Sequence, residues 1–373
     1  MKKVVVLGVI FVVVIAAIII LNKISNQGPG EKTNLGKTGP ITTVTETSTT
    51  KVVSKQTTIR VGYTSKLLII NHLGQTLLRT NILDKNSLKG QITNFETEQS
   101  LVDIVSGGAL DAAFVSDFSA VMAIGKGYNG LIVAYLGPLG RTDLVVLSSS
   151  YDSSIKSFQD VKGKSIGLTE RTPAHRSMVK WLKEQSMKPE DIRILHFNEP
   201  SLQILEDRRA EAAVFTDPLL EILLRSGKVT SLMDSQYYGV VLISKDFYAK
   251  NPEAVYGFIN SIKEAFFFVS SHKDIVNKWV EQLSAIPSEF VWACSDNNMF
   301  YSNRDHQINR IKIGLSDNFM TTLNDIAGFA YAQKLIPNQP VIADITDQKI
   351  ISEAMKEIDS KTYKAEEVKV LQQ

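Results

Sequence analysis

"GALDAAFVSD", residues 108–117, returns in altered form as "RRAEAAVFTD", residues 208–217. Both stretches carry the order acid, Ala, Ala, apolar, apolar, hydroxyl, Asp. They run Asp111-Ala112-Ala113-Phe114-Val115-Ser116-Asp117 and Glu211-Ala212-Ala213-Val214-Phe215-Thr216-Asp217. The short apolar run suits a buried strand, and the hydroxyl–Asp pair is a helix-start signal. The Ala pair lets the strand sit tightly against covering helices. In open α/β sheets, ligands bind outside the carboxyl ends of strands. Two such phrases therefore predict two similar lobes, each giving a strand-end loop to a shared cleft. Helix N-capping explains the same Ser, Thr and Asp residues. The two readings are compatible, because the exposed amides serve both.

The flanking sequence repeats the alternation. "TIRVGYT" (58–64) reads as a strand and "HLGQTLLRTNILDK" (72–85) as a helix. A strand near 90–96, a helix near 98–107, the strand "DAAFV" and a helix from Asp117 follow. "LIVAYL" and "DLVVLS" read as two buried strands. The pattern then restarts with the strand "KSIGLT" and the helix "PAHRSMVKWLKEQS", with Pro173 near its first turn. "IRILHF", "SLQILEDRR", "EAAVF" and "DPLLEILLRSG" continue as strand, helix, strand, helix. "YGVVLIS" (238–244) is a last strand, and the remainder is mostly helical. This order predicts an α/β fold with mainly parallel sheets.

Several stretches together resemble the solute-binding proteins of ABC importers, in the nitrate, sulfonate, taurine and thiamine-precursor group. They include "IRVGYTS", "SLVDIVSGGALDAAFVSDFSAVMAIGKG", the turn Asp160-Val161-Lys162-Gly163-Lys164 with the strand, loop and helix after it, "RRAEAAVFTDPLLE", "ISKDFYAKNPEAVYGFINSIKEAF" and "FAYAQKLIPNQPVIAD". Lys334 stands where the group usually has Gly. The resemblance covers about residues 58–346. It implies a two-lobed type II periplasmic-binding-protein fold. Lobe one would be 58–147 plus 240–373 and lobe two 148–238, with chain crossings near 145–150 and 236–242. It also implies a monomer that closes on a small-molecule solute and delivers it to an ABC permease and its ATPase, without a cofactor. The solute would be a sulfonate, taurine, nitrate or a thiamine precursor. A biosynthetic enzyme on the same fold is the alternative.

On this reading the solute would meet Tyr63, Thr64, Ser65, Ser116 and Asp117 from lobe one. Lobe two would offer Thr169, Arg171, Thr172, His175, Thr216 and Asp217, with Arg141 near the hinge. The loop "LTERTPAHR" leads into a helix N-terminus, where free amides and the helix dipole favour an anion. Arg171 and Arg176 add positive charge there. Glu170, Asp117 and Asp217 offset that charge, so a neutral solute also remains open.

The N-terminus carries Met1-Lys2-Lys3 and then Val4–Leu21 without a polar side chain. As a helix this run spans about 27 Å, close to the hydrocarbon thickness of a bilayer. Its length and the lack of an A-x-A-like cleavage site favour an uncleaved membrane anchor (1–21) over a cleaved signal peptide. No cysteine follows it, so a lipoprotein is not expected. Residues 22–57 are rich in Gly, Thr and Ser and read as a flexible stalk. The body would lie on the extracellular or periplasmic face.

Composition narrows the remaining classes. The net charge is +2, which gives no support for nucleic-acid binding. Cys294 is the single cysteine, so no internal disulfide forms. The chain has no HExxH pair, no G-x-S-x-G and no phosphate loop. Metal catalysis and Ser-hydrolase chemistry therefore have no sequence support.

Overall fold

The computed structural model describes residues 56–149, 154–198, 201–284, 286–302, 307–359 and 365–371. The expected membrane anchor and nearly all of the stalk lie outside these residues. Among the described residues, no helix is long and apolar enough to cross a membrane.

Eight strands form one sheet in the order β2-β1-β3-β8-β4-β7-β5-β6. The first half contains β1 (Thr57–Thr64), β2 (Leu88–Phe95) and β3 (Ala112–Ser116). Its helices are α1 (Leu68–Arg79), α2 (Ile82–Lys85), α3 (Glu98–Ser106) and α4 (Asp117–Gly125). The long strand β4 (Gly130–Leu147) carries the chain into the second half. There β5 (Ser165–Leu168), α5 (Pro173–Glu184), β6 (Arg193–His196), α6 (Gln203–Glu206), β7 (Ala212–Thr216) and α7 (Leu219–Arg225) repeat the pattern. The strand β8 (Val229–Ser244) returns the chain to the first half. Among the described residues, six α-helices follow: α8 (Lys245–Lys250), α9 (Pro252–Ser271), α10 (Lys273–Glu281), α11 (Ser288–Asn297), α12 (Asp317–Ala332) and α13 (Gln348–Asp359). Exchanging β1 with β5, β2 with β6, β3 with β7 and β4 with β8 reproduces the strand order read backwards.

Three expectations are corrected here. "LIVAYL" and "DLVVLS" are not separate strands but the two ends of β4. The Gly-Pro-Leu-Gly between them reads as a turn, yet the pairing with β8 passes through it with register shifts. Gly137 adopts φ +87°, where a side chain is strained, and lets the strand bulge instead of stopping. The strand "YGVVLIS" likewise starts earlier, at Val229, because the polar segment before it pairs along β4. The sheet is consequently mixed. β1–β2, β1–β3, β5–β6 and β5–β7 are parallel, as expected, while β3–β8, β8–β4 and β4–β7 are antiparallel. The first helix also begins earlier, at Leu68. It is buried without a break from Leu68 to Leu77, as befits a helix inside a core.

The repeated phrases have a common structural basis. Asp111 N–H donates to the Arg60 carbonyl at 2.9 Å, and Arg60 N–H donates back to Asp111 Oδ2 at 2.8 Å. In the second half, Glu211 N–H donates to the Ser165 carbonyl at 3.0 Å, and Ser165 N–H donates to Glu211 Oε2 at 2.7 Å. Each acid thus clasps the first strand of its own half. Each second Ala then lies opposite a glycine, Ala113 facing Gly62 and Ala213 facing Gly167. A Cβ on Gly62 would sit 2.3 Å from Leu101, so the close helix packing requires glycine.

Side chains alternate across each strand and divide the interior. Ala112 and Phe114 join the core under α1 and α9, where Phe114 stacks on Phe258 at 5.8 Å. Ala113 and Val115 face the opposite core, with α3, α4 and α12. In the second half, Leu144, Val146, Ile166 and Val214 pack with Met178 and Trp181 of α5. Val145, Phe215 and Leu220 form the other layer. Along β4 the core changes between Leu139 and Leu144.

Candidate functional site

A cavity of about 300 Å³ lies where the crossing strands leave the first half. Its walls are Lys66–Ile69 at the start of α1, Pro138–Arg141 of β4, Gln236 and Tyr237 of β8, and Asp217, Pro218 and Glu221 at the start of α7. Phe290, Ala293, Cys294 and Asn297 of α11 close it, with Asn298 and Met299.

The start of α1 suits an anion. Its first turn holds no acidic residue, and its N-cap, Leu67, makes no side-chain hydrogen bond. The leading amides are therefore left for water or a ligand, and the dipole favours negative charge. Lys66 is exposed beside them.

Arg141 supplies a second cation. Its Nη2 donates to Asp143 Oδ2 at 2.7 Å, and its Nε has no hydrogen-bond partner among the described residues. Its N–H donates to Asp217 Oδ2 at 2.7 Å, and Asp217 N–H donates to its carbonyl at 3.0 Å. Asp217 Oδ1 has no hydrogen-bond partner among the described residues. Burial raises the pKa of Asp217, and the Arg141 N–H and guanidinium pull it back only in part. Burial likewise raises Asp143, against the pull of Ser231 and Arg141. Tyr237 donates to the Asp217 carbonyl at 3.4 Å. Burial, and then the Asp217 charge, push the Cys294 thiol up to about 12, so it stays protonated at neutral pH.

On the opposite face of the sheet, the start of α4 meets α5. Ser116 caps α4 by accepting from Ser119 N–H at 3.2 Å, and it donates to Glu98 Oε2 at 3.2 Å. Asp117 is fully buried. Its Oδ1 accepts from Phe118 N–H at 2.8 Å, and its Oδ2 has no partner within hydrogen-bond distance among the described residues. Desolvation raises its pKa to about 6, although Arg176 of α5 and the Phe118 and Tyr238 N–H groups oppose the rise. The rings of Tyr135, Tyr238 and Phe319 cluster nearby, with centroids 4.8–5.8 Å apart. His175 of α5 stands edge-on to Phe329 of α12 at 5.4 Å.

Of the residues expected to hold a solute, the cavity brings together Arg141 and Asp217. Tyr63 lies instead in the core beneath Gly74, its hydroxyl accepting from Gln75 at 2.6 Å. Thr64 is buried and accepts from Lys66 N–H at 3.3 Å. Ser65 is tied to Asn94 through its N–H and hydroxyl. These two shape the loop that presents Lys66. Thr169, Arg171 and Thr172 form the turn into α5, and His175 lies in its first turn. Thr172 donates to the Thr169 carbonyl at 2.7 Å, and Arg171 N–H donates to His175 Nδ1 at 3.4 Å. Arg171 is exposed, at φ +59°. Thr216 pairs with Thr142 in the sheet. Lys66, Asp143, Gln236 and Tyr237 escape the sequence reading. Only the Arg-x-Asp spacing of 141–143, which puts both side chains on one strand face, would have pointed to Asp143.

The family described as NMT1/THI5 like matches residues 85–274. An Escherichia coli protein named for binding aliphatic sulfonates is 19% identical over 224 residues, covering 58% of this chain and 68% of its own. The taurine-binding periplasmic protein of Escherichia coli is 23% identical over 201 residues, 52% of this chain. The match spans only 61% of that relative. A Brucella abortus protein named only as a binding protein is 24% identical over 285 residues, 70% of this chain and 85% of its own. Among solved structures, the periplasmic aliphatic sulphonate binding protein SsuA of Escherichia coli superposes with a TM-score of 0.64 at 18% identity. That superposition covers 78% of this chain and 97% of the other. The desulfurization enzyme DSZB superposes at 0.58 and 12% identity, covering 81% and 99%. These likenesses show the fold, an α/β periplasmic-binding-protein fold that an enzyme also uses.

Proposed function

The chain belongs to the NMT1/THI5-like family, and from that premise we propose that it is the extracytoplasmic solute-binding subunit of an ABC importer. Its solute is a small sulfonate- or taurine-like anion, held between two lobes and passed to a membrane permease. The observation that carries this reading is the cavity, which takes walls from both halves of the fold and sets Lys66, Arg141 and the start of α1 around one space. Asp217 and Glu221 stand in the same wall. They suit a solute with a hydrogen-bond donor or an ammonium group besides its anionic end. Lobe one is 58–147 with 240–373 and lobe two is 148–238; the core along β4 changes between Leu139 and Leu144, so the strand enters the second lobe's core a few residues before that boundary. Only a closed arrangement offers contacts from both lobes, so the solute shifts the population toward closure. The apolar segment 4–21 anchors the body to the outer face of the membrane.

An enzymatic use of the fold would need a nucleophile or base aimed into the cavity. Cys294, kept as a thiol, is poorly suited to that task.

A thermal-shift measurement on the full-length chain in detergent tests the reading, with taurine, ethanesulfonate, nitrate and neutral amino acids as probes. A ligand at a hundredfold over its dissociation constant stabilises by about 2.7 kcal/mol. Selective shifts with the sulfonates are expected. No shift with any probe, in protein free of carried-over ligand, overturns the proposal.

A further inference from the structure

Arg141 and Asp143 are two residues apart on β4, so their side chains leave the same face of the strand. The Asp143 side chain is fully buried, whereas that of Arg141 is 43% exposed. Nη2 of the guanidinium is tied to Asp143 Oδ2 at 2.7 Å, while Nε has no partner among the described residues. The Arg141 main chain is fixed separately, by its reciprocal bonds with Asp217. The guanidinium is thus held through Nη2, with Nε enclosed and unpaired among the described residues, while the rest of the side chain stays partly exposed at the cavity wall. A free arginine samples many rotamers, and ordering it on binding costs affinity.

We propose that Asp143 is a positioning residue for solute binding: its buried carboxylate holds the Arg141 guanidinium at the cavity wall, so that the exposed N–H groups meet the anionic end of the solute. This rests on the reading of the cavity as the solute site. A plain counter-charge at the same place has the opposite effect. A carboxylate near an anion site repels the anion, so neutralising it would tighten binding. Neutralising a positioning carboxylate weakens binding, because an amide oxygen holds a guanidinium less firmly than a carboxylate does.

Calorimetric titration of ethanesulfonate into the full-length chain in detergent separates these effects. The proteins compared are the unaltered chain, Asp143→Asn, Arg141→Ala and the double variant, each with a melting curve to check folding. Asp143→Asn is expected to bind about three- to tenfold more weakly. The double variant is expected to be no weaker than Arg141→Ala, since the carboxylate acts through the arginine. Equal or tighter binding in Asp143→Asn, or additive losses in the double variant, overturns the inference while leaving the cavity reading intact. Absence of ethanesulfonate binding to the unaltered chain, or unchanged affinity in Arg141→Ala, overturns the cavity reading and this inference with it. Should Asp143→Asn fail to fold, Arg141→Lys keeps the charge and loses the planar fork. Affinity unchanged in that variant overturns the inference equally.

Discussion

Asp111 and Glu211 act alike, each returning its carboxylate to a backbone N–H of the first strand in its own half. The far ends of the two phrases differ. In the first, Ser116 caps α4 and Asp117 is sealed from water among Tyr135, Tyr238 and Phe319. In the second, Thr216 makes no cap, α7 waits until Leu219, and Asp217 turns to the Arg141 main chain beside a cavity. Arg141 and Tyr238 are equivalent positions under the exchange of halves, for β4 runs against β7 as β8 runs against β3. One carries a cation and the other an aromatic ring. The same backbone plan thus yields a polar cavity on one face and packed rings on the other, and two side chains decide which.

Asp117→Asn tests the sealed side with the largest expected effect. The folded pKa of about 6 lies above the model-peptide value of 3.8. The folded state therefore holds its proton more tightly, and stability falls as pH rises from about 4 to about 6. The difference corresponds to at most about 3 kcal/mol. Asp117→Asn should remove that descent and be the more stable protein at pH 8, as read from denaturant unfolding at several pH values. An unchanged pH profile would break the contrast between the two aspartates.

The clasps come next. Asp111 receives the Arg60 main chain and two guanidinium contacts, whereas exposed Glu211 receives one backbone N–H. Asp111→Ala should cost about 1.5–3 kcal/mol and Glu211→Ala about 0.5–1.5 kcal/mol. Equal losses in urea unfolding would mean that the Arg60 guanidinium adds nothing. The caps give the smallest effect. Ser116→Ala should cost about 1 kcal/mol, and Thr216→Ala should fall within about 0.5 kcal/mol of the parent. A larger loss at Thr216 would show that the second phrase is held by its hydroxyl after all.

Much of the fold was legible because local signals and tertiary needs coincided. The acid–Ala–Ala phrases, the Ser116 cap and Pro173 at the first turn of α5 all fell where the pattern put them. The crossing strands were misread because a strand's right to continue through Gly137-Pro138 depends on a partner about a hundred residues away, which no local window contains. The candidate site was legible only at Asp217, which follows a strand, and at Arg141, near the hinge. Arg141 and Asp217 could be named from position, but Lys66, Gln236 and Tyr237 share one space only after β4 and β8 cross. Tyr63 shows the reverse error. Its place after a strand suggested a ligand contact, and the tight approach of Gly74 buried it instead.

The bulge at Gly137 and the change of core just beyond it give the crossing strands a mechanical meaning. Points on an axle move least when the wheels turn. A rotation of one half against the other about β4 and β8 sweeps Lys66, just before α1, and Glu221, on α7, through the longest arcs. Arg141, on the axle itself, stays nearly in place. If the cavity is the solute site, as proposed, Arg141 keeps one grip throughout the stroke, and release needs only the contacts of Lys66 and Glu221 to open.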